Sequence, residues 1–237
     1  MNTFSIIVIL LIISSGVMGL KKGFLKESVV FIGTILVYII SFLLKDKIGL
    51  VLCKWFPFFS FDGLQTLNIL VYQLIAFIFI ATILFSIATI IFKLTGIIQK
   101  LVDITIILTL PSKILGFIFG ILEGYIVMFL ILIILAIPLR NVELFKESTV
   151  VTKIMYNSPI LSKTLGGVPK TIEDILDVTT EIQKADYNKN KVALDIMKIE
   201  LDHNIISKED TLDLIERGKL DKVQGIKSFV KNYNKNS

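Results

Sequence analysis

The chain has few of the residues on which most catalytic and metal sites depend. Cys53 is the single cysteine and His203 the single histidine among 237 residues. One cysteine excludes an intrachain disulfide, a thiolate metal cluster and a CxxC redox pair. One histidine excludes a multi-histidine metal site, and a position in a charged segment identifies His203 as a solvated surface residue rather than a member of a triad. We therefore predict no catalytic residue, no bound metal and no cofactor.

Other chemical signatures are missing as well. The sequence contains no Walker A motif and no glycine pattern for a dinucleotide. The acidic residues of the C-terminal part are spaced as a polar helix face and lack the glycine-centred loop that binds calcium. An intramembrane aspartyl pair needs two aspartates within apolar runs, and those runs contain none. These absences predict that the chain is not an enzyme.

Charge is scarce in the first part of the chain and abundant in the second. Residues 1–137 hold nine Lys or Arg and five Asp or Glu, whereas residues 138–237 hold sixteen and fifteen. Overall, 54% of residues are hydrophobic and 19% charged, and the mean hydropathy is +0.79. This split predicts a membrane domain over residues 1–140, with the lipid bilayer as its solvent, and a water-soluble tail over residues 141–237.

The apolar runs predict an all-α protein, with an integral membrane four-helix bundle and a helical C-terminal tail. The predicted spans cover about residues 4–20, 28–44, 67–92 and 114–137. The first run is interpreted as a span and not as a signal peptide, because its positive charges follow the run and no small-x-small cleavage site is present.

Two connections between spans have distinct compositions. Ile48–Gly63 gathers five aromatic residues around Pro57, which predicts a short interfacial segment on the outer face; a simple loop with buried rings is the alternative. Ile104–Leu110 is apolar but too short to span, and it is interpreted as part of a surface-lying connection.

Basic residues near the spans predict the orientation. Placing Lys21, Lys22 and Lys26 in the cytoplasm also places Lys93, Lys100 and Lys113 there, six basic residues in all. The opposite orientation would put Lys45, Lys47, Lys54 and Arg140 inside. We favour the first arrangement, with both termini outside. Since the positive excess lies in these short loops, a nucleic-acid partner is not predicted, despite a pI of 9.1.

The tail is predicted to form short helices. An imperfect apolar stripe favours a helix over Val142–Asn157, and Thr171 is a candidate N-cap for a helix that ends near Gln183. After a linker at Tyr187–Asn190, helices are predicted over Lys191–Leu201 and Ser207–Arg217, with Ser207 as N-cap and Gly218 as an αL stop. The last dozen residues are predicted to fray.

A regular glycine pattern opens the fourth span. Gly116, Gly120 and Gly124 stand at i, i+4 and i+8, so they share one helical face on which another backbone can approach closely. Gly16, Gly19 and Gly23, at the end of the first span, form a looser small-residue patch that could be the partner of this face. Another membrane protein, or a second copy of the chain, is the other predicted partner.

Glu123 is the only acidic residue inside a predicted span, about ten residues into the fourth. A carboxylate at such a depth costs about 2.5–3.5 kcal/mol on insertion scales, so it should face the bundle interior. Two interpretations stay open: a proton or substrate contact in a cavity, or a structural carboxyl bonded to another helix or reached by water.

Two motifs resemble those of the colicin V production protein family. The first span followed by Lys21-Lys22-Gly23-Phe24-Leu25-Lys26-Glu27 is similar to the opening of that family, and Lys113–Gly124 is similar to the glycine-rich segment that opens its last span. The resemblance covers about residues 1–140 and implies a bacterial plasma-membrane protein needed for producing a secreted toxin or bacteriocin, or for envelope homeostasis.

The resemblance does not supply a molecular activity. The leading hypothesis is a membrane scaffold or accessory factor that uses the glycine face for assembly and the tail for a partner. The alternative is a small transporter or peptide conduit with Glu123 lining its path, although no convincing internal repeat is visible.

Overall fold

The computed structural model describes residues 2–61, 64–95, 109–136, 138–139, 142–158, 168–180 and 188–234. Within these ranges the regular structure is helical and contains no strand, which confirms the predicted all-α class. The described helices are α1 (Thr3–Lys22), α2 (Phe24–Trp55), α3 (Leu67–Thr95), α4 (Thr109–Ala136), α5 (Glu143–Lys146), α6 (Thr149–Tyr156), α7 (Val168–Thr180), α8 (Lys189–Asp202), α9 (Lys208–Glu216) and α10 (Ile226–Asn232).

Helices α1 to α4 are long and apolar enough to cross a membrane, as the sequence predicts. The largest difference concerns α2, which was expected to end near Leu44 but continues to Trp55 over 32 residues. At 1.5 Å per residue α2 is about 48 Å long, well beyond a hydrocarbon core of about 30 Å. The charges at Lys45-Asp46-Lys47 mark the end of the apolar run but do not break the helix, because lysine is a good helix former and the run contains no Gly or Pro.

The first half of the predicted interfacial segment at Ile48–Gly63 is helical and belongs to α2, and its interfacial position stays a prediction. Several other predictions fall outside the described residues: most of the Ile104–Leu110 connection, Lys100 and Arg140. The predicted linker at Tyr187–Asn190 is partly wrong, since Asn188 is the N-cap of α8 and accepts from the backbone N–H of Lys191.

The contacts divide the chain into two compact units. Unit 1 comprises Met1–Ile40 and Ala81–Lys163. In unit 1, α1 packs along α4; the short helix α6 contacts both of them, and α5 contacts α1. The Asn2 side chain caps α1 and donates to the carbonyl oxygen of Leu144 at 2.6 Å, and the hydroxyl groups of Ser5 and Ser148 are 2.8 Å apart. The first part of the predicted tail is thus anchored to the N-terminal end of α1.

Unit 2 comprises Ser41–Ile80 and Thr164–Ser237. It combines the end of α2 and the start of α3 with helices α7 to α10. Thr66 donates to the carbonyl oxygen of Ala193, Gln73 donates to that of Ile205, and Lys54 pairs with Asp213 at 2.9 Å. The largest fully buried side chains of unit 2 come both from the membrane helices and from the tail: Leu64, Leu67, Ile69, Leu70, Ile172, Ile175, Ile196, Met197 and Leu214. The predicted boundary at residue 140 separates a segment in lipid from a segment in water, and it stays a prediction. The two units defined by contacts do not divide the chain at that residue.

The tail matches several local predictions and corrects others. Ser207 caps α9 by accepting from the backbone N–H of Asp210, and Gly218 has a φ of 71°, as predicted. Thr171 is not a cap; it lies buried inside α7, which begins at Val168. The last residues do not fray as a whole, because α10 buries Ile226 and Val230. His203 is not a freely solvated residue, since its Nε2 lies 2.7 Å from Asp174.

Candidate functional site

The glycine face of α4 lies directly against α1. A Cβ atom on Gly19 would stand 2.2 Å from the carbonyl oxygen of Gly116, and one on Gly116 would stand 2.5 Å from the carbonyl oxygen of Gly19. A Cβ on Gly120 would lie 2.5 Å from the carbonyl oxygen of Ser15. Such distances leave no room for any side chain, so the two backbones are in contact over two turns. Close backbone approach is a main source of helix association in lipid, where apolar side chains gain little by meeting.

Gly124 and Gly23 extend this contact at its two ends. A Cβ on Gly124 would meet the Ser15 side chain at 2.6 Å, whereas Gly23 lies within about 3 Å of a Cβ built on Gly116. Gly23 has a second role, because its φ of 78° ends α1 and allows α2 to begin at once. Its N–H donates to the carbonyl oxygen of Gly19 at 2.9 Å. A left-handed conformation of this kind favours glycine over every other residue.

The glycine face of α4 is occupied by α1 in the structure. From sequence, this face is a candidate surface for another membrane protein or a second copy of the chain. In the structure α1 lies on this face, and a partner protein or second copy bound through it stays a prediction. The contacts from α1 come from the patch of Gly16, Gly19 and Gly23, which was expected from the sequence to pack against this face.

Glu123 belongs to a cluster of polar side chains in unit 1. Thr34 of α2 donates its hydroxyl to Glu123 Oε1 at 3.0 Å. Glu123 also interacts with the side chain of Glu27 and with the charge of Lys22. Glu123 itself is half-buried, so it faces other helices as predicted for a carboxyl at this depth.

Glu27 is the most buried member of this cluster, with a relative exposure of 1%. Its carboxylate pairs with Lys22 at 3.0 Å, and it occupies the first turn of α2, where an acidic side chain is favoured by the helix dipole. Sequence reasoning placed Glu27 in the basic turn and missed this role. The available signal was its position four residues after Gly23, which puts it on the first helical turn.

The three lysines that were predicted to set the topology have different surroundings. Lys21 is exposed, Lys26 is half-buried, and Lys22 is engaged by Glu27. Because Lys22 ends α1 and Glu27 lies in the first turn of α2, their ion pair also closes the sharp turn at Gly23.

The cluster of Lys22, Glu27, Thr34 and Glu123 can hold a proton or orient a small cation. The ion pair between Lys22 and Glu27 and the hydrogen bond from Thr34 to Glu123 supply the donors and acceptors that either role requires. Among the described residues, no group of three or more His, Cys, Asp or Glu side chains is placed to hold a metal ion.

The aromatic segment that follows α2 lies in unit 2. Trp55 is 82% exposed, and Phe56 and Phe59 are also exposed. Phe58 packs beside Tyr72, and Tyr72 donates its hydroxyl to the carbonyl oxygen of Pro57. Lys219 of the tail donates to the carbonyl oxygen of Phe56 at 2.8 Å, so the segment is held between α3 and the tail.

Four apolar helices, two of them joined by glycine contacts, define a multi-span α-helical membrane protein. Comparison with protein families matches residues 4–159 to the family described as colicin V production protein. Since this match covers more than half of the chain, the chain belongs to that family. The matched range extends past residue 140, the predicted end of the resemblance, and includes α5 and α6. No curated protein and no solved structure matches the chain.

Proposed function

We propose that this chain is a non-catalytic accessory factor of the bacterial plasma membrane that supports production of a secreted peptide toxin or bacteriocin, or maintenance of the envelope. Membership of the colicin V production protein family supports the proposed membrane location and the link to toxin production. The observation that carries the proposal is the shared core of unit 2, in which α7 to α10 pack around the ends of α2 and α3. A partner bound by the tail is thereby attached to the membrane helices themselves.

We propose further that the tail lies outside the cytoplasm. Lys21, Lys22 and Lys26 favour a cytoplasmic turn between α1 and α2, which puts the N-terminus and the tail outside. The hydrogen bond between Asn2 and Leu144 supports a common side for the N-terminus and the start of the tail.

Cysteine labelling tests the sidedness. The native Cys53 is buried, so the unchanged chain provides a low background. With a membrane-impermeant maleimide, Lys222→Cys should label in intact cells, and Lys21→Cys should label only after permeabilisation. The reverse pattern would place the tail in the cytoplasm.

In vivo photo-crosslinking tests the accessory role. A photoreactive phenylalanine at Phe56, on the exposed segment of unit 2, should capture the exported peptide or a protein of its export machinery. The same group at Leu43, which is 68% exposed on the apolar part of α2, is the control and should capture lipid. Deletion of the gene should lower the secreted toxin activity, and capture at neither position in a toxin-producing strain would contradict the proposal.

A small transporter or conduit is the second candidate, favoured by the direct interaction of Glu123 with the buried Glu27. Such a pair can pass a proton within the bundle. In proteoliposomes, Glu123→Gln should then lower proton flux at least tenfold, and Glu147→Gln, an exposed acidic control, should leave it unchanged. Flux that is equal in liposomes with and without the protein would exclude this candidate.

A further inference from the structure

The edge of the bilayer can be located within unit 2 from the exposure of its helices. On α2, exposed large apolar side chains are frequent up to Leu43 and Leu44, and the charged residues Lys45, Asp46 and Lys47 follow. In the rest of α2, only Val51 and Trp55 are exposed large apolar residues. At the start of α3 the order is reversed. Residues 64–70 are all buried, and exposed large apolar side chains begin at Ile75. A continuous band of exposed apolar side chains is favoured in lipid over water, and the charged run at Lys45–Lys47 interrupts it, so the hydrocarbon ends near Leu44 and Ile75.

A cavity of about 180 Å³ opens immediately above this edge. Asp46, Lys47 and Leu50 of α2, Gln73 of α3, and Asn204 and Asp210 of the tail are among its lining residues. Lys47 lies three residues beyond Leu44, or about 4.5 Å along the helix axis. The headgroup layer on each side of a bilayer is about 5–8 Å thick, so the cavity lies at headgroup depth.

The size of the cavity suits a small polar group. At about 30 Å³ per molecule, it has room for roughly six waters, which is also the scale of a phosphate joined to a short amine. The polar groups of Asp46, Lys47, Gln73 and Asp210 supply both donors and acceptors.

The charges around the cavity are balanced, and this selects among headgroups. The buried Lys45 donates to Asp46 and is also 3.5 Å from Gln73, so Asp46 is neutralised within the protein. The lining then offers one cation, Lys47, and one anion, Asp210, whose carboxylate accepts from the Ser207 hydroxyl at 2.8 Å. A purely anionic headgroup would leave Asp210 unpaired, whereas a headgroup with a phosphate and an ammonium complements both charges.

We propose that this cavity binds the headgroup of an aminophospholipid, with the phosphate on Lys47, the primary ammonium on Asp210 and the acyl chains along α2 beside Leu43. The bound lipid links the tail to α2 and α3 at the membrane surface. This inference depends on membrane insertion alone and stands independently of the accessory role.

Native mass spectrometry of the full chain tests the proposal, with phosphatidylethanolamine, phosphatidylglycerol and phosphatidylcholine supplied in equal amounts. We expect the wild-type chain to retain phosphatidylethanolamine at least tenfold over phosphatidylglycerol. Phosphatidylcholine should also be retained less, because its methyl groups remove the N–H donors that Asp210 would accept. Equal retention of the three lipids would overturn the proposal.

Two charge-neutral variants, Asp210→Asn and Lys47→Gln, should each reduce retention of phosphatidylethanolamine about tenfold. Asp221→Asn and Lys222→Gln are matched controls, since both residues are exposed tail charges that do not line the cavity. Circular dichroism establishes that all four variants fold. If both cavity variants kept the preference for phosphatidylethanolamine, the proposed site would be wrong. If soluble glycerophosphoethanolamine at equal concentration displaced the lipid, the ligand would be a free headgroup and not a membrane lipid.

Discussion

Unit 1 and unit 2 are stabilised by different kinds of contact. In unit 1, α1 and α4 meet through backbone atoms at Gly19, Gly116 and Gly120, and many large apolar side chains point away from the protein. In unit 2, large apolar side chains such as Ile196 and Leu214 fill a core, and the described charged residues other than Lys45 and Glu200 are at least partly exposed.

The difference follows from the solvent. In lipid, an apolar side chain gains nothing by leaving its surroundings, so helices associate through close van der Waals contact. In water, burial of apolar surface is worth roughly 25 cal/mol per Å² and dominates. Four predictions probe this contrast, from the largest expected effect to the smallest.

Gly19→Leu should have the largest effect, because its Cβ alone would stand 2.2 Å from the carbonyl oxygen of Gly116. Overpacking by a single methylene costs about 1–3 kcal/mol, and a backbone contact cannot yield as a side chain can, so we expect separation of α1 from α4. The measurement is thermal unfolding in detergent. Ser14→Leu, on an exposed position of the same helix, should change the stability by less than about 0.5 kcal/mol. Equal stability of the two variants would contradict the role of the glycine face.

Ile196→Ala should lower the free energy of unfolding of unit 2 by about 2–4 kcal/mol, because the fully buried side chain leaves a cavity. Leu43→Ala removes a similar volume from a lipid-exposed position and should cost less than about 0.5 kcal/mol. Hydrogen exchange of α8 and α9 in the full chain measures both. If Leu43→Ala were as damaging as Ile196→Ala, the assignment of solvents would be wrong.

Glu200 gives unit 2 a pH dependence that follows from its burial. The carboxyl group is fully buried, and neither oxygen has a hydrogen-bond partner among the described residues. Burial raises the pKa of Glu200 well above its usual value, and the nearby backbone N–H of Leu70 offsets only a part of this change. In unit 1, by contrast, the buried Glu27 has an ion-pair partner in Lys22.

Because the pKa of Glu200 is higher in the folded state, folding retains a proton that the unfolded chain has released. The contribution is complete below the unfolded pKa and is lost as the pH rises towards the folded pKa. The stability of unit 2 should therefore fall above about pH 4.5, by at most about 1.4 kcal/mol per pH unit. Glu200→Gln should flatten this slope in denaturant titrations, whereas Glu209→Gln, an exposed control, should leave it unchanged. An identical slope in all three proteins would refute the assignment.

Ser207→Ala should have the smallest effect, a loss of about 1 kcal/mol, because the hydroxyl that accepts from the Asp210 N–H caps α9. Ser228→Ala, which removes an exposed hydroxyl that donates to the Gly225 carbonyl, should cost less. Denaturant unfolding followed by circular dichroism compares the two, and the reverse ranking would show that the cap contributes little.

Much of the fold is predictable from local patterns. Apolar runs identified four spans, since only long helices satisfy their backbone in lipid. Short polar signals identified Ser207 and Gly218, because caps depend on one or two residues. The length of α2 was missed, since a helix continues from lipid into water without any sequence break.

The candidate site was predictable in part. The spacing of Gly116, Gly120 and Gly124 predicts a close contact, and the structure places α1 there. The burial of Glu27 at this site could not be predicted from the sequence, because an acidic residue in a basic turn looks solvated until a neighbouring helix buries it. The core shared by the tail with α2 and α3 also depends on contacts between residues more than a hundred positions apart.

By itself, the sequence determined that this is an all-α membrane protein, which helices span, and which face of α4 is free of side chains. These properties depend on hydropathy and on the absence of a Cβ, which are local to each segment. Only the tertiary structure decided that α1 occupies the glycine face, that Glu27 faces Glu123 and that the tail packs on the ends of α2 and α3. Such pairings depend on shape and charge complementarity between distant segments, and that complementarity exists only once the chain has folded.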